Sequence, residues 1–217
     1  MEKSEVIMQT EAYIRKTLEG DGTGHDWWHI CRVRNIALTI AREEKADLYI
    51  VELGALLHDV ADWKFHEGNT SVGPRKAREW LSSLQVDPRV IDAVAHIVEY
   101  VSFKGAGVAS AMNTLEGKVV QDADRLDAIG ALGIARCFAY GGSKGRALYN
   151  PELQAEMHAS FEAYKNNTSS SVHHFYEKLL LLKDRMNTAT GKQLAEQRHH
   201  YMEQYLKQFY AEWRGTA

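Results

Sequence analysis

Only three prolines and two cysteines occur in the 217 residues. Proline breaks helix interiors, so its scarcity leaves room for long uninterrupted helices. Cys31 and Cys137 stand in apolar, helical-looking stretches with no CxxC or CxxxC spacing. That argues against a thiolate-bound zinc and for two buried free thiols in a reducing compartment. No segment alternates apolar and polar residues as a half-buried strand must. No apolar run is long enough to cross a bilayer. The first twenty residues are charged and amphipathic and lack the apolar centre of a signal peptide. The expected location is the cytoplasm, with no membrane partner. An excess of positive charge is also missing: 26 Lys and Arg against 29 Asp and Glu give a net charge of −3. This argues against general binding of a nucleic acid polymer, yet a few local Lys and Arg still suffice for a small phosphorylated substrate. Repeats, low-complexity tracts and a convincing linker are absent as well. What remains is an ordinary globular composition, 45% hydrophobic and 25% charged. The expectation is a single all-α domain over residues 1–217.

The chain then reads as a succession of helices. The first is expected at about Ser4 to Leu18, stopped by the glycines at 20, 22 and 24. Asp26 is placed to cap a helix carrying His29, Val33, Ile36, Ala37 and Ile40 on one face. Asp47 is placed to cap the next, IVELGALLHDVAD over residues 50–62, which is apolar on nearly every side until His58-Asp59. Such a helix belongs in a core. Pro74 opens a further helix to about Leu84, and Asp87-Pro88 another to about Val101. Thr114 is positioned to cap one long helix, LEGKVVQDADRLDAIGALGIARCFAY, ended by Gly141-Gly142. Helical patterning returns over Val172–Met186 and Gln193–Trp213. The last of these has a wide aromatic face, suited to the core or to a homodimer contact.

The buried end of the central helix raises a chemical question. A bare buried carboxylate costs several kcal/mol, and a metal ion would satisfy His58 and Asp59 together. His29 and Asp124 sit on amphipathic helices where they can join them. For Asp124, an ion pair with Arg125 or Arg136 is the alternative. For Asp26 in the other HD dipeptide, His25-Asp26, the cap is the simpler role. Two imidazoles and two carboxylates without thiolate suit Mn²⁺, Fe²⁺, Co²⁺, Ni²⁺ or Mg²⁺. Four protein ligands in an octahedral field leave two positions open, as catalysis requires.

The segments HDWWHICRV, ALLHDVADWK and VVQDADRLDAIGALGIAR, in this order, resemble the HD-domain metal-dependent phosphohydrolases, with a motif core over residues 24–140 and the helices of 172–213 beyond it. They look closest to a compact bacterial branch with HDVAD-type motifs, associated with nucleotide pyrophosphohydrolase activity. The resemblance implies an all-α helical bundle around one divalent ion, for which Mn²⁺ is preferred here. It implies His29, His58, Asp59 and Asp124 as ligands and Asp62 as a catalytic acid or base. His96 falls near positions where two-metal members hold extra histidines. Lys64, Lys104, Arg125 and His96 are candidate substrate contacts, because cations hold phosphoryl charge. Asp127 is a candidate for orienting a ligand. The implied reaction is cleavage of nucleoside triphosphates to monophosphate and pyrophosphate. The alternatives are a nucleotide monophosphatase or other phosphoester hydrolase, and a metal or nucleotide sensor without turnover. A di-iron oxygenase of the same fold needs more histidines than His66 and His96 supply.

Overall fold

The computed structural model describes residues 1–18, 26–61, 70–103, 110–155 and 169–217. The described residues contain no strand. The helices are α1 (Lys3–Thr17), α2 (Trp27–Glu44), α3 (Leu48–Leu57), α4 (Val72–Ser83), α5 (Pro88–Tyr100), α6 (Leu115–Asp127), α7 (Gly130–Ser143), α8 (Ser171–Glu177) and α9 (Ala189–Trp213). The fold is all-α, as expected. None of these helices is long and apolar enough to cross a membrane. The described residues fall into two compact units. The first comprises those up to Phe103 together with Ser110–Asp124, the second those from Arg125 onward.

The first unit is built from local stop and start signals. The Asp26 carboxylate accepts from the His29 backbone N–H at 2.9 Å. Asp47 accepts from Tyr49 and Ile50 at 2.9 and 3.2 Å, and Asp87 from Arg89 at 2.8 Å with Pro88 at the first helical position. Thr114 Oγ1 accepts from Gly117 N–H at 3.2 Å. Each cap satisfies backbone donors that a helix start leaves open. Helix α3 is the centre of the unit and packs on α1, α2 and α5. Its Val51, Leu53, Ala55, Leu56 and Leu57 are 0% exposed. Burial of each Leu stabilises the fold by roughly 1.5–3 kcal/mol. Arg34 on α2 donates to Glu52 on α3 and to Glu11 on α1, each at 2.9 Å. Burial works against its charge, but the two carboxylates outweigh it and hold the guanidinium above its usual range. The register of α1, α2 and α3 is thereby fixed at one point.

Beyond Thr114, two expectations need correction. The long helix after Thr114 is two helices, α6 and α7, interrupted at Ala128-Ile129. Gly130 there has φ +74°, a left-handed conformation that glycine adopts without a side-chain penalty. Apolar spacing continues across the break, so periodicity alone does not reveal it. The helix expected over Val172–Met186 is the seven-residue α8, followed by 3₁₀ turns at Leu179–Leu181 and Lys183–Arg185. Leu179 and Leu182 are buried at 3% and 0% exposure. Their three-residue spacing lines up in a 3₁₀ turn.

In the second unit α9 packs on α7 and on the second 3₁₀ turn, and α7 packs on α8. Phe175 stacks on Tyr205 with ring centroids 6.0 Å apart. Tyr149 meets Trp213 edge-on at 5.0 Å. The aromatic face of α9 is thus used within its own unit. Cys31 and Cys137 are free thiols and only half-buried. Burial nevertheless pushes the Cys137 thiol up to about 12, and its Sγ–H donates to the Ser171 carbonyl at 3.4 Å.

Candidate metal centre

Three helices of the first unit bring four side chains to one place. His29 comes from the first turn of α2, where the Asp26 cap holds its backbone N–H. His58 and Asp59 follow the last residue of α3. Asp124 comes from the last turn of α6. His29 Nε2 lies 3.2 Å from His58 Nε2, 3.4 Å from Asp59 Oδ2 and 3.6 Å from Asp124 Oδ1. His58 Nε2 lies 3.5 Å from Asp59 Oδ2 and 3.9 Å from Asp124 Oδ1. His29 is 0% and His58 4% exposed, while the Asp124 side chain is 29% exposed. One side of the cluster is therefore closed by core and the other is accessible through Asp124.

The tautomer of His58 follows from its second ring nitrogen. Nδ1 is 2.8 Å from the Ala55 carbonyl, an acceptor with no proton to give. Nδ1 therefore carries the hydrogen, and in the neutral ring Nε2 presents a lone pair to the cluster. A proton on His29 Nε2 would satisfy the two rings but would leave both carboxylates beside them. A divalent cation would satisfy both rings and the Asp59 carboxylate together, with Asp124 3.6 and 3.9 Å from the ring nitrogens but outside the mutually close group. Ligand atoms at about 2.1 Å from a common ion are roughly 3.0–3.5 Å from one another, and the observed separations lie at or slightly above that range. The donor set fits a divalent ion. Among the described residues, His29, His58 and Asp59 are the group whose ligand atoms all lie within 4.8 Å of one another.

The other expected site residues have different surroundings. His96 is on α5, with Nε2 at 3.0 Å from Asn113 Oδ1 and its ring 4.7 Å from that of Tyr100. Asp127 is 0% exposed and receives Arg136 Nη1 at 2.7 Å. Arg136 thus pairs with Asp127 within the second unit. Arg125 is 6% exposed and donates through Nη1 to the Arg185 carbonyl. Asp62, Lys64 and Lys104 lie outside the described residues, as does His66. Helix α3 itself ends at Leu57, and a turn closed by Val60 N–H on the Leu57 carbonyl follows. The continuous helix from Ile50 to Asp62 is therefore corrected to a helix and a turn. Sequence reasoning missed the Ala55 carbonyl, because a backbone acceptor has no residue-type signature. A histidine just past the last helical residue was the available signal, since the final carbonyls of a helix seek donors.

A family model for the HD domain matches residues 27–129. The sequence is 41% identical to that of Bacillus subtilis YpgQ over 201 residues, 92% of this chain and 90% of that protein. An HD-superfamily hydrolase from Bacillus thuringiensis superposes with a TM-score of 0.75 at 43% identity, over 99% of this chain and 100% of that one. The chain belongs to the HD superfamily. Another solved relative is YpgQ in complex with ADP, with a TM-score of 0.78 and 37% identity over 98% of this chain and 97% of that one. The HD-domain match begins after His25-Asp26 and contains His58-Asp59, together with His29 and Asp124. Of the two HD dipeptides, the one at the end of the buried helix is the one inside the family match.

Proposed function

We propose that this HD-superfamily chain is a divalent-metal-dependent phosphohydrolase that cleaves nucleoside triphosphates to the monophosphate and pyrophosphate. The observation that carries the reading is the pair of imidazole Nε2 atoms 3.2 Å apart with the carboxylates of Asp59 and Asp124 beside them. His29, His58, Asp59 and Asp124 hold the ion, with Mn²⁺ the preferred metal. When bound, such an ion neutralises phosphate oxygens and makes water a better nucleophile at neutral pH.

The protein's own groups supply the rest. The Ala55 carbonyl fixes the His58 tautomer, so this ring coordinates without losing a proton. The partly exposed Asp124 side marks where substrate approaches. Asp62 positions or deprotonates the attacking water, or protonates the leaving oxygen. Lys64 and Lys104 hold the phosphates and offset their charge. A nucleotide substrate is supported by the ADP held by the YpgQ relative.

The test is a panel of nucleoside mono-, di- and triphosphates with Mn²⁺, Mg²⁺, Co²⁺ and Ni²⁺, with phosphate and pyrophosphate measured separately. Monophosphate and pyrophosphate in equal amounts are expected from triphosphates. Stepwise release of single phosphates would replace the reading by a nucleotidase. No turnover of any ester with metal bound would replace it by a sensor.

A further inference from the structure

Helix α3 carries a glycine in its interior at Gly54, although glycine is a poor helix former. Its position is informative. Gly54 is four residues before His58, and Val120 is four residues before Asp124, so each lies one turn from a residue of the cluster. A Cβ on Gly54 would stand 2.9 Å from Ile97 Cδ1, 3.2 Å from Ile97 Cγ2 and 3.4 Å from Val120 Cγ2. Ordinary carbon–carbon contact is about 3.5–4.0 Å. The Val120 contact is an ordinary one, so the obstacle is Ile97, which is 0% exposed and cannot swing into solvent to make room.

We propose that Gly54 is a positioning residue for the metal centre: its missing side chain sets the approach of α3 to α5, and with it the place of His58 one turn further on. The inference rests on the metal-centre reading above. A methyl group at Gly54 must be accommodated by a displacement of several tenths of an ångström. Metal sites hold their ligand distances within about 0.2 Å. A shift that a hydrophobic contact tolerates is therefore too large for the cluster one turn away. Ile97 is the closest obstacle, so shortening it should restore that approach even with alanine at 54.

The experiment is titration of metal-free protein with Mn²⁺ by calorimetry, with the melting temperature of each metal-free protein recorded. The proteins are the parent, Gly54→Ala, Gly54→Ala with Ile97→Val, and Leu81→Ala as a core substitution away from the ligand helices. We expect Gly54→Ala to weaken Mn²⁺ binding at least tenfold and the double variant to recover most of it. Leu81→Ala should lower the melting temperature and leave the affinity within about twofold. Unchanged affinity in Gly54→Ala, or a loss that Ile97→Val does not relieve, overturns the inference. If Gly54→Ala does not fold, Ile97→Phe loads the same contact from α5: weakened binding supports the inference and unchanged binding overturns it. A parent that binds no divalent ion overturns the metal centre itself, which separates that failure from this one.

Discussion

Asp59 and Asp124 both bring carboxylates to the histidine pair, but Asp62 is the acid proposed for proton movement. A general acid or base contributes typically ~10²–10⁴-fold in rate. Asp62→Asn should retain metal and fold and lower kcat by about that factor, with little change in KM. The amide keeps the size but cannot take up the proton. Steady-state kinetics beside metal analysis checks this; an unchanged kcat with metal bound removes Asp62 from the mechanism. Cys137 gives a second residue-scale expectation, in pH. Its folded thiol is raised to about 12 by burial, while an unfolded cysteine ionises near 8.5. The unfolded chain then releases a proton in a window where the folded chain does not. Stability from this group is complete below about pH 8.5 and is lost as pH rises toward 12. Melting temperatures at pH 7 and 10 should show a smaller alkaline loss in Cys137→Ala than in the parent.

Among the elements, α2 joins stability to the site through one cap. The Asp26 carboxylate accepts from the backbone N–H of His29 itself. Asp26→Ala should cost about 1 kcal/mol in denaturant unfolding, and Asp26→Asn much less. Such local signals were legible: Asp26, Asp47, Asp87 and Thr114 were all read as caps from sequence, and all four accept the expected backbone bonds. The break between α6 and α7 was not legible. Leu126, Ile129 and Ile134 preserve apolar spacing across it, and the positive φ of Gly130 is a property of packing rather than of pattern. Gly130→Ala should destabilise the fold by about 1–2 kcal/mol through that φ, with added contact against Arg198, whose Cβ lies 3.1 Å from the new methyl. A chemical-denaturation midpoint unchanged in this variant would contradict the strained turn. Around the site, the gathering of His29, His58 and Asp59 was readable because a buried His-Asp pair has few inexpensive explanations. The engagement of Arg125 with the Arg185 carbonyl was not, since the two are far apart in sequence and a backbone carbonyl leaves no mark in it.

At the scale of the whole molecule, the proposed metal centre draws on α2, α3 and α6 and so would link widely separated parts of the sequence. An ion that binds only the folded chain raises stability by about 2.7 kcal/mol at one hundred times its dissociation constant. Chelation should therefore lower the melting temperature, and added Mn²⁺ should restore it in the parent and not in His58→Ala. The most direct measurement is the metal content per chain of the parent, His58→Ala and Asp124→Ala, each loaded with Mn²⁺ and freed of excess. One ion per chain in the parent and almost none in either variant is the predicted result. A full complement of metal in both variants, with the fold intact, would contradict the centre built on His29, His58, Asp59 and Asp124.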